Sequence, residues 1–138
     1  MAKSIRDLMT KNPSSIDADK PVSYAAKMMR DEDVGLAPIV EGDKLIGTLT
    51  DRDIAIRVVA EGKDPDQTKS RDVASTRLVT IDPQQDLDEA LRLMAQHQVR
   101  RLPVVEEDGK LVGVVAQADV AREASGEQTG EVVEKISK

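Results

Sequence analysis

The stretch Gly47-Thr48-Leu49-Thr50-Asp51-Arg52-Asp53 carries the residue types best suited to binding a small molecule. It lies where an apolar strand pattern gives way to a helical one, so that a glycine, a hydroxyl and the first-turn amides of a helix come together. The Asp53 carboxylate can accept hydrogen bonds from two vicinal hydroxyls, as a ribose presents. In the alternative interpretation, which the residue types alone favour, Asp51 caps the helix, Asp53 complements its dipole and Gly47 marks a packing constraint.

A second candidate is Arg100-Arg101, an adjacent arginine pair that precedes an apolar run. Two guanidinium groups can hold a phosphate through charge-assisted bidentate contacts. Solvated loop charges, or partners of the nearby Glu106 and Glu107, are an equally good interpretation. His97, in the preceding turn, is interpreted as a cation at a helix C-terminus or as a half-buried polar residue.

Catalytic equipment is scarce in this chain, which has one histidine and no cysteine. It lacks a G-x-S-x-G elbow and a Walker P-loop, and the acidic clusters at 31–33 and 64–66 lack the spacing of a calcium loop. Met28, Met29 and Met94 lie on apolar helical stripes and are interpreted as core or interface residues. We therefore expect no catalytic residues, no metal site and no cofactor.

Composition narrows the class of protein further. The chain has 138 residues, of which 39% are hydrophobic, 33% charged and 1% aromatic, and its formal net charge is −6. One domain's worth of chain with an aliphatic core follows from these values. The negative charge disfavours nucleic acid and anionic membrane as partners. No targeting segment and no apolar run of about 18 residues is visible, so we expect a cytoplasmic protein.

The chain is an internal duplication. A shift of 65 residues, which becomes 66 after a hairpin loop, gives fifteen identical pairs; Arg6 with Arg71, and Asp53 with Asp119, are two of them. Average residue usage predicts about three or four such pairs over the compared length. The extra residue falls where a hairpin loop can lengthen without disturbing its strands.

Each repeat is predicted to form a β-α-β-β-α unit. In the second, Asp86 and Glu89 resemble a capping box ahead of an apolar helical face, and in the first Pro21 suits a first helical position. The predicted strands are 14–16, 37–40 and 44–49 in the first repeat and 79–81, 102–105 and 110–115 in the second, and a proline stands near the start of each middle strand. The last helices begin at Asp51 and Gln117 and stop near Gly62 and Gly126.

These patterns divide the chain into four segments. The predicted boundaries are a first repeat at 4–62, a linker at 63–69, a second repeat at 70–126 and a polar tail at 127–138, where Val132, Val133 and Ile136 permit a marginal helix. A repeat of about 60 residues has too small an interior to be securely stable alone. We therefore expect an α+β fold in which the two repeats pack sheet to sheet around a pseudo-two-fold axis, with a cleft on each side.

The duplicated unit resembles a pair of CBS domains, named after cystathionine β-synthase. The resemblance rests on the run from Val34 to Val40 leading to Gly47–Asp53, and on the run from Val99 to Val105 leading to Gly113–Asp119. It extends over about 4–125 and is similar in detail to small stand-alone bacterial CBS pairs. The family implies a regulatory sensor of adenosine-containing ligands, such as AMP, ADP, ATP or S-adenosylmethionine, that commonly forms a homodimer.

The resemblance also implies roles for particular residues. Thr50 and Asp53, with Arg52 beside them, match the positions that hold ribose and phosphate; Thr80 matches a position that often contacts the nucleotide, and the backbone of Leu36, Ala37 and Pro38 flanks the base. The corresponding residues of the second cleft are Ser15, Arg100, Arg101 and Asp119. Because Ala116 stands where Thr50 has a hydroxyl, we expect one competent site in each chain. The competing hypothesis is a ligand-free module that dimerises or docks on an unidentified protein through vestigial clefts.

Overall fold

The computed structural model describes residues 3–127, which form two compact units. The first unit comprises residues 14–78 and 108–111, and the second comprises residues 3–13, 79–107 and the described residues from 112 onward. In chain order the elements are α1 (Ile5–Leu8), β1 (Thr10–Lys11), β2 (Ile16–Asp17), α2 (Val22–Glu32), β3 (Leu36–Glu41), β4 (Lys44–Thr50), α3 (Asp51–Ile54) continued by a π-helical segment (Ala55–Val59), α4 (Ser70–Val73), α5 (Leu87–His97), β5 (Arg101–Val105), β6 (Leu111–Ala116) and α6 (Gln117–Glu127). The tail predicted to follow, including Val132, Val133 and Ile136, lies outside the described residues.

The first unit contains a three-stranded sheet of order β2-β3-β4. β2 runs parallel to β3, with Ile16 opposite Ile39, and β3 and β4 form an antiparallel hairpin. Its core is aliphatic: Val22, Ile39 and Leu49 are fully buried among residues from α2, the sheet and the π-helical segment. The predicted mixed α/β architecture is confirmed in this unit. Its first strand, predicted at 14–16, is found at Ile16–Asp17.

The second unit repeats this plan around a sheet of order β1-β6-β5. Ile81 makes a parallel bridge to Val104, which is the position that β2 occupies on β3 in the first unit. Ile5, Leu102 and Val115 are fully buried in its core. The first strand of the second repeat, predicted at 79–81, is therefore present as a single bridged residue.

Each middle strand contains its proline at the third residue, one position later than predicted. Pro38 lies opposite Thr48 in the register of β3 and β4. Both backbone groups of Thr48 bond instead to Ser75: its N–H donates to the Ser75 carbonyl at 3.0 Å, and its own carbonyl accepts at 2.8 Å. The Pro38–Thr48 pair thus needs no hydrogen bond between its members, and the missing N–H of the proline costs none there.

Two further short segments, which the sequence patterns did not predict, complete the sheets, and we call them the lead-in segments. Residues 5–10 form α1 and the start of β1, and their repeat counterparts 70–75 form α4 and the bridge to β4. The first segment belongs to the second unit and the second segment to the first unit. Each sheet is therefore completed by the segment that precedes the other repeat in the sequence.

Helix ends follow the predicted chemistry, with three adjustments. One is at Gly126, which lies inside α6 because that helix continues to Glu127. Gly62 adopts φ +68°, and bonds from the Gly62 N–H to the Val59 carbonyl and from the Lys63 N–H to the Val58 carbonyl close the helix in a Schellman arrangement. Pro21 is the N-cap of α2 and not its first helical residue. Asp86 caps α5 by accepting the Glu89 N–H at 3.0 Å, but the Glu89 side chain pairs with Arg92, so the predicted capping box is only half formed.

Candidate functional site

The junction between β4 and α3 is built by a reciprocal pair of hydrogen bonds. Thr50 is the N-cap, and its hydroxyl oxygen accepts the Asp53 N–H at 3.1 Å. The Asp53 carboxylate oxygen Oδ2 accepts the Thr50 N–H at 2.9 Å. This capping box fixes the two residues predicted to hold a ribose and a phosphate. The prediction that Asp51 caps the helix is wrong, since Asp51 is the first helical residue.

The first-turn amides of α3 are engaged within the protein. The Asp51 N–H donates to the Gly35 carbonyl at 3.1 Å, the Arg52 N–H donates to Oδ1 of Asp51 at 2.8 Å, and the Asp53 N–H is taken by Thr50. They are thus already satisfied and do not form an open anion cradle of the kind that helix N-termini often provide. Positive charge at this junction comes from arginine side chains instead, and the exposed Arg52 is one of them.

The second oxygen of Asp53 faces an arginine that the sequence reasoning missed. Asp53 Oδ1 lies 4.0 Å from Nε of Arg57, and the side chain of Asp53 is only 16% exposed. Nη1 of Arg57 donates to the Val73 carbonyl at 3.1 Å. The i,i+4 spacing of Asp53 and Arg57 was a signal in the sequence for this contact.

The start of β3 forms the apolar side of the junction. Leu36 lies opposite Thr50, and Ala37 lies opposite Leu49. Leu36 is half-buried, whereas Ala37 and Pro38 are buried. A Cβ at Gly35 would lie 3.4 Å from the Asp51 carboxylate, so the chain passes close to the helix start here. The structure thus brings Leu36, Thr50, Arg52 and Asp53 together within one unit.

Gly47, the first residue of the motif, has a packing role. A Cβ built on it would lie 3.1 Å from the Ala74 Cβ and 3.1 Å from the Ser75 carbonyl oxygen. Both distances are shorter than ordinary van der Waals contacts, so the glycine admits the lead-in segment beside β4. The predicted packing constraint is confirmed at this residue.

The corresponding junction of the second unit, between β6 and α6, has different chemistry. Asp119 Oδ2 accepts the Ala116 N–H at 3.0 Å, as Asp53 does for Thr50. Alanine has no hydroxyl to return the bond. Asp119 Oδ1 accepts a hydrogen bond from Nη2 of Arg122 at 2.6 Å, and the Gln117 N–H donates to the Arg100 carbonyl at 2.7 Å.

The remaining predicted site residues are distributed over both units. Thr80 is half-buried in the second unit, directly before the bridged Ile81, and Ser15 is exposed in the first unit, directly before β2. Arg101 opens β5 in the second unit. His97 is the last residue of α5, as predicted, and it is exposed and not half-buried. Within residues 3–127, no group of three or more His, Asp or Glu side chains is placed to hold a metal ion.

The fold and the two junctions define a tandem pair of small α/β repeats. Each repeat contains a strand-to-helix turn in which an aspartate is hydrogen-bonded to the backbone. The family model for the CBS domain matches this chain at residues 5–60 and again at residues 71–126. The chain therefore belongs to the CBS domain family, as a CBS pair. This confirms the resemblance on which the sequence-based assignment rested.

Similar proteins include small CBS pairs that the chain matches over nearly their full length. It is 43% identical over 135 residues to the CBS domain-containing protein YhcV of Bacillus subtilis, covering 97% of this chain and 95% of YhcV. It is 39% identical over 118 residues to Hypoxic response protein 1 of Mycobacterium tuberculosis, covering 85% and 82% of the two chains. The crystal structure of Hypoxic Response Protein I with two coordinated zinc ions superimposes with a TM-score of 0.78, at 38% identity, over 88% of this chain and 98% of that one.

A solved structure of CBSX2 in complex with AMP has the same fold. It superimposes with a TM-score of 0.78 at 23% identity, over 90% of this chain and 97% of that one. No helix in the described part of the chain has the length and apolar character needed to cross a bilayer.

Proposed function

We propose that this CBS pair is a regulatory module that binds an adenosine-containing ligand, such as AMP, ADP, ATP or S-adenosylmethionine, at the β4–α3 junction and catalyses no reaction on it. The observation that carries the proposal is the state of Asp53. Its Oδ2 is held by the Thr50 N–H, while its Oδ1 lies 4.0 Å from the nearest guanidinium nitrogen. A carboxylate with one oxygen anchored and the other available suits two vicinal ribose hydroxyls.

The other residues have complementary roles in the proposed site. The Thr50 hydroxyl accepts the Asp53 N–H, so its own hydrogen remains to be donated to a phosphate oxygen. Arg52 supplies the positive charge that the engaged first-turn amides do not. Leu36 provides the apolar contact for the base, flanked by the backbone of Ala37 and Pro38. Thr80 is proposed as a further nucleotide contact.

The second set of residues is proposed as a weaker site. Ser15, Arg100, Arg101 and Asp119 would form it, but Ala116 offers no hydroxyl and Arg122 occupies Oδ1 of Asp119. A ribose there would have to displace a charge-assisted hydrogen bond, which is stronger than a neutral one. We therefore propose one competent site per chain.

Family membership supports the ligand class, since CBSX2 is solved with AMP. A cytoplasmic location is part of the proposal, because free adenine nucleotides are abundant there. Binding would alter conformation or partner binding only to the extent that the ligand favours one state over the other.

Calorimetric titration with AMP, ATP and S-adenosylmethionine tests the proposal. Asp53→Asn keeps the shape of the side chain and removes its charge, and Asp119→Asn is the matched control at the equivalent position. The expected result is binding by the wild type and by Asp119→Asn, and at least tenfold weaker binding by Asp53→Asn. Equal affinities for the wild type and Asp53→Asn would remove Asp53 from the site, and no heat with any of the three ligands would reject the ligand class.

A second candidate function, a dimerising or protein-docking module, is favoured by one surface. Four large apolar side chains of the first unit are exposed: Tyr24 on α2, at 51%, Ile56 and Val59 on the π-helical segment, at 46% and 70%, and Leu78, at 37%. In the second repeat, Arg122 and Ser125 stand at the positions of Ile56 and Val59. Under either candidate function we propose a homodimer, with the stripe of Ile56 and Val59 as its contact.

Sedimentation velocity of Val59→Asp tests this surface, and Leu78→Asp, at an exposed apolar residue outside the stripe, is the control. We expect Val59→Asp to sediment as a monomer and Leu78→Asp to sediment as the wild type does. A shift of the melting temperature by AMP separates the two candidate functions, because a ligand that binds only the folded state raises that temperature. A module with vestigial sites would show no shift.

A further inference from the structure

We propose that Arg57 is a positioning residue for the Asp53 carboxylate, and this inference rests on the proposed function of that site. Arg57 reaches both the acceptor oxygen of the site and the backbone of α4. Its Nε lies 4.0 Å from Asp53 Oδ1, and its Nη1 donates to the Val73 carbonyl at 3.1 Å. One guanidinium therefore links the Asp53 carboxylate to the last residue of α4, within the lead-in segment 70–75.

The carboxylate needs a second point of reference because one hydrogen bond fixes only one oxygen. The Thr50 N–H holds Oδ2 at 2.9 Å, and the carboxylate plane can still turn about that contact. Positive charge beside Oδ1 selects the orientation in which this oxygen faces the guanidinium. At 4.0 Å the attraction leaves the lone pairs of Oδ1 able to accept hydroxyl hydrogens.

The anchor on Val73 explains why arginine is suited to this position. A guanidinium offers five N–H donors in a rigid fork, so separate nitrogens can serve the carbonyl and the carboxylate at the same time. A lysine would bring a single ammonium group on a flexible stem, which cannot hold both contacts in this geometry. Arg57→Lys therefore keeps the charge and loses the bridge.

The second repeat provides the internal contrast. Glu123 stands at the position of Arg57, carries the opposite charge and pairs at 3.4 Å with Lys3, which precedes α1. The guanidinium beside Asp119 comes from Arg122, which directly precedes Glu123 in the sequence and lies at hydrogen-bond distance from Asp119. A guanidinium at 4.0 Å orients the acceptor, whereas one at 2.6 Å occupies it.

The test is a double-mutant cycle read with two probes, AMP and adenosine, in calorimetric titrations. If Arg57 acts through Asp53, Arg57→Met weakens the binding of both probes by about three- to tenfold, because the ribose contact is common to them. In an Asp53→Asn background the same substitution should change affinity less than about twofold. Arg57→Lys should recover only part of the loss, and Arg30→Met, which removes an exposed arginine on α2, should leave both affinities unchanged.

A measurement without ligand keeps the inference testable apart from affinity. Amide hydrogen exchange at Thr50, whose N–H bonds to Asp53, should become severalfold faster in Arg57→Met, while exchange at Ala116 stays unchanged. Loss of AMP affinity with adenosine unaffected would overturn the inference, since Arg57 would then contact phosphate directly. Wild-type binding with unchanged affinities in Arg57→Met would also overturn it while leaving the proposed function intact. No binding of either probe by the wild type would overturn both.

Discussion

The two strand-to-helix junctions occupy the same position in the repeat and differ in the hydroxyl of the cap and in the arginine beside the aspartate. At β4–α3, Thr50 and Asp53 bond each other in both directions; at β6–α6, Asp119 bonds the Ala116 backbone in one direction only. The free oxygen of the aspartate then meets a distant guanidinium in the first unit and a close one in the second. The repeated aspartate thus preserves the helix cap, whereas the residues around it decide whether an acceptor is left for a ligand.

The two lead-in segments also form equivalent ion pairs in the two units. Arg6 lies 3.7 Å from Glu106 in the second unit, and Arg71 lies 2.7 Å from Glu41 in the first. All four residues belong to the fifteen identical pairs of the duplication. Their repetition follows from the exchange of segments, because each arginine pairs with the glutamate of the other repeat.

The largest expected difference concerns Ile5 and Ser70, which are repeat counterparts and both fully buried. Ile5→Ala should lower the free energy of unfolding by about 3 kcal/mol, since it removes buried methylene groups and leaves a cavity. Ser70 Oγ is buried without a hydrogen-bond partner among the described residues. Ser70→Ala should therefore raise the free energy of unfolding, by about 1 kcal/mol.

Denaturant unfolding of both variants measures these changes. Destabilisation of the protein by Ser70→Ala would contradict the assignment of Ser70 as an unsatisfied polar group in an apolar position. A small effect of Ile5→Ala would show that α1 contributes little to the core of the second unit.

Much of this comparison could be predicted from the sequence. The duplication, the hairpins and the helix starts at Asp51 and Gln117 follow from periodicity and turn residues, which are local signals. The lead-in segments were missed because α1 and α4 have four residues each, too short to give a periodic pattern. Their placement on the other repeat's sheet is a nonlocal property of the fold.

The candidate site was predicted in part. Thr50 and Asp53 were identified from their types and from the family resemblance, and the structure brings them together in a capping box. The engagement of the Asp51 amide was not predictable, because the Gly35 carbonyl that accepts from it lies just before β3, on a segment distant in the sequence. Arg57 was missed because its anchor, the Val73 carbonyl, lies beyond a linker whose path the sequence patterns did not give.

The repeated glycines give the next largest expected effect. A Cβ at Gly113 would meet the Met9 sulfur and would lie 2.9 Å from the Thr10 carbonyl oxygen, whereas at Gly47 the closest approach is 3.1 Å. Gly113→Ala should cost about 2 to 3 kcal/mol of unfolding free energy and Gly47→Ala about 1 kcal/mol.

The double variant Met9→Ala/Gly113→Ala is the control, compared by denaturant unfolding with Met9→Ala alone, because Met9 is itself buried in the core of the second unit. It removes the clash with the side chain and leaves the clash with the Thr10 carbonyl oxygen. Most of the loss should therefore persist. Full recovery would assign the effect to the methionine and not to the approach of the backbone.

The caps give a smaller effect with opposite signs in the two repeats. Thr50→Ala removes the hydroxyl that accepts the Asp53 N–H and should lower the free energy of unfolding by about 1 kcal/mol. Ala116→Thr supplies the missing hydroxyl and should raise it by about 0.5 kcal/mol. Thr50→Ser is the control that keeps the cap. Thermal unfolding without ligand measures all three, and a loss for Ala116→Thr would contradict the equivalence of the junctions.

The smallest expected effect separates the first long helix of each repeat by its response to acid. On α5 the hydrogen bond from the Arg92 guanidinium lowers the pKa of Glu89 from its ordinary value of 4.5. A carboxyl whose pKa is lower in the folded state than in the unfolded state stabilises the fold above the unfolded pKa, and this contribution is lost as the pH falls through the folded pKa. On α2 the same two positions are Tyr24 and Lys27, which form no such carboxylate pair.

The stability difference between the wild type and Glu89→Gln should therefore be constant near neutral pH, shrink as the pH falls below about 4.5 and vanish below the lowered pKa. Lys27→Gln, as the control, should show no corresponding change over the same acid range, and a difference between the wild type and Glu89→Gln that persists in acid would show that Glu89 stabilises α5 by something other than its charge.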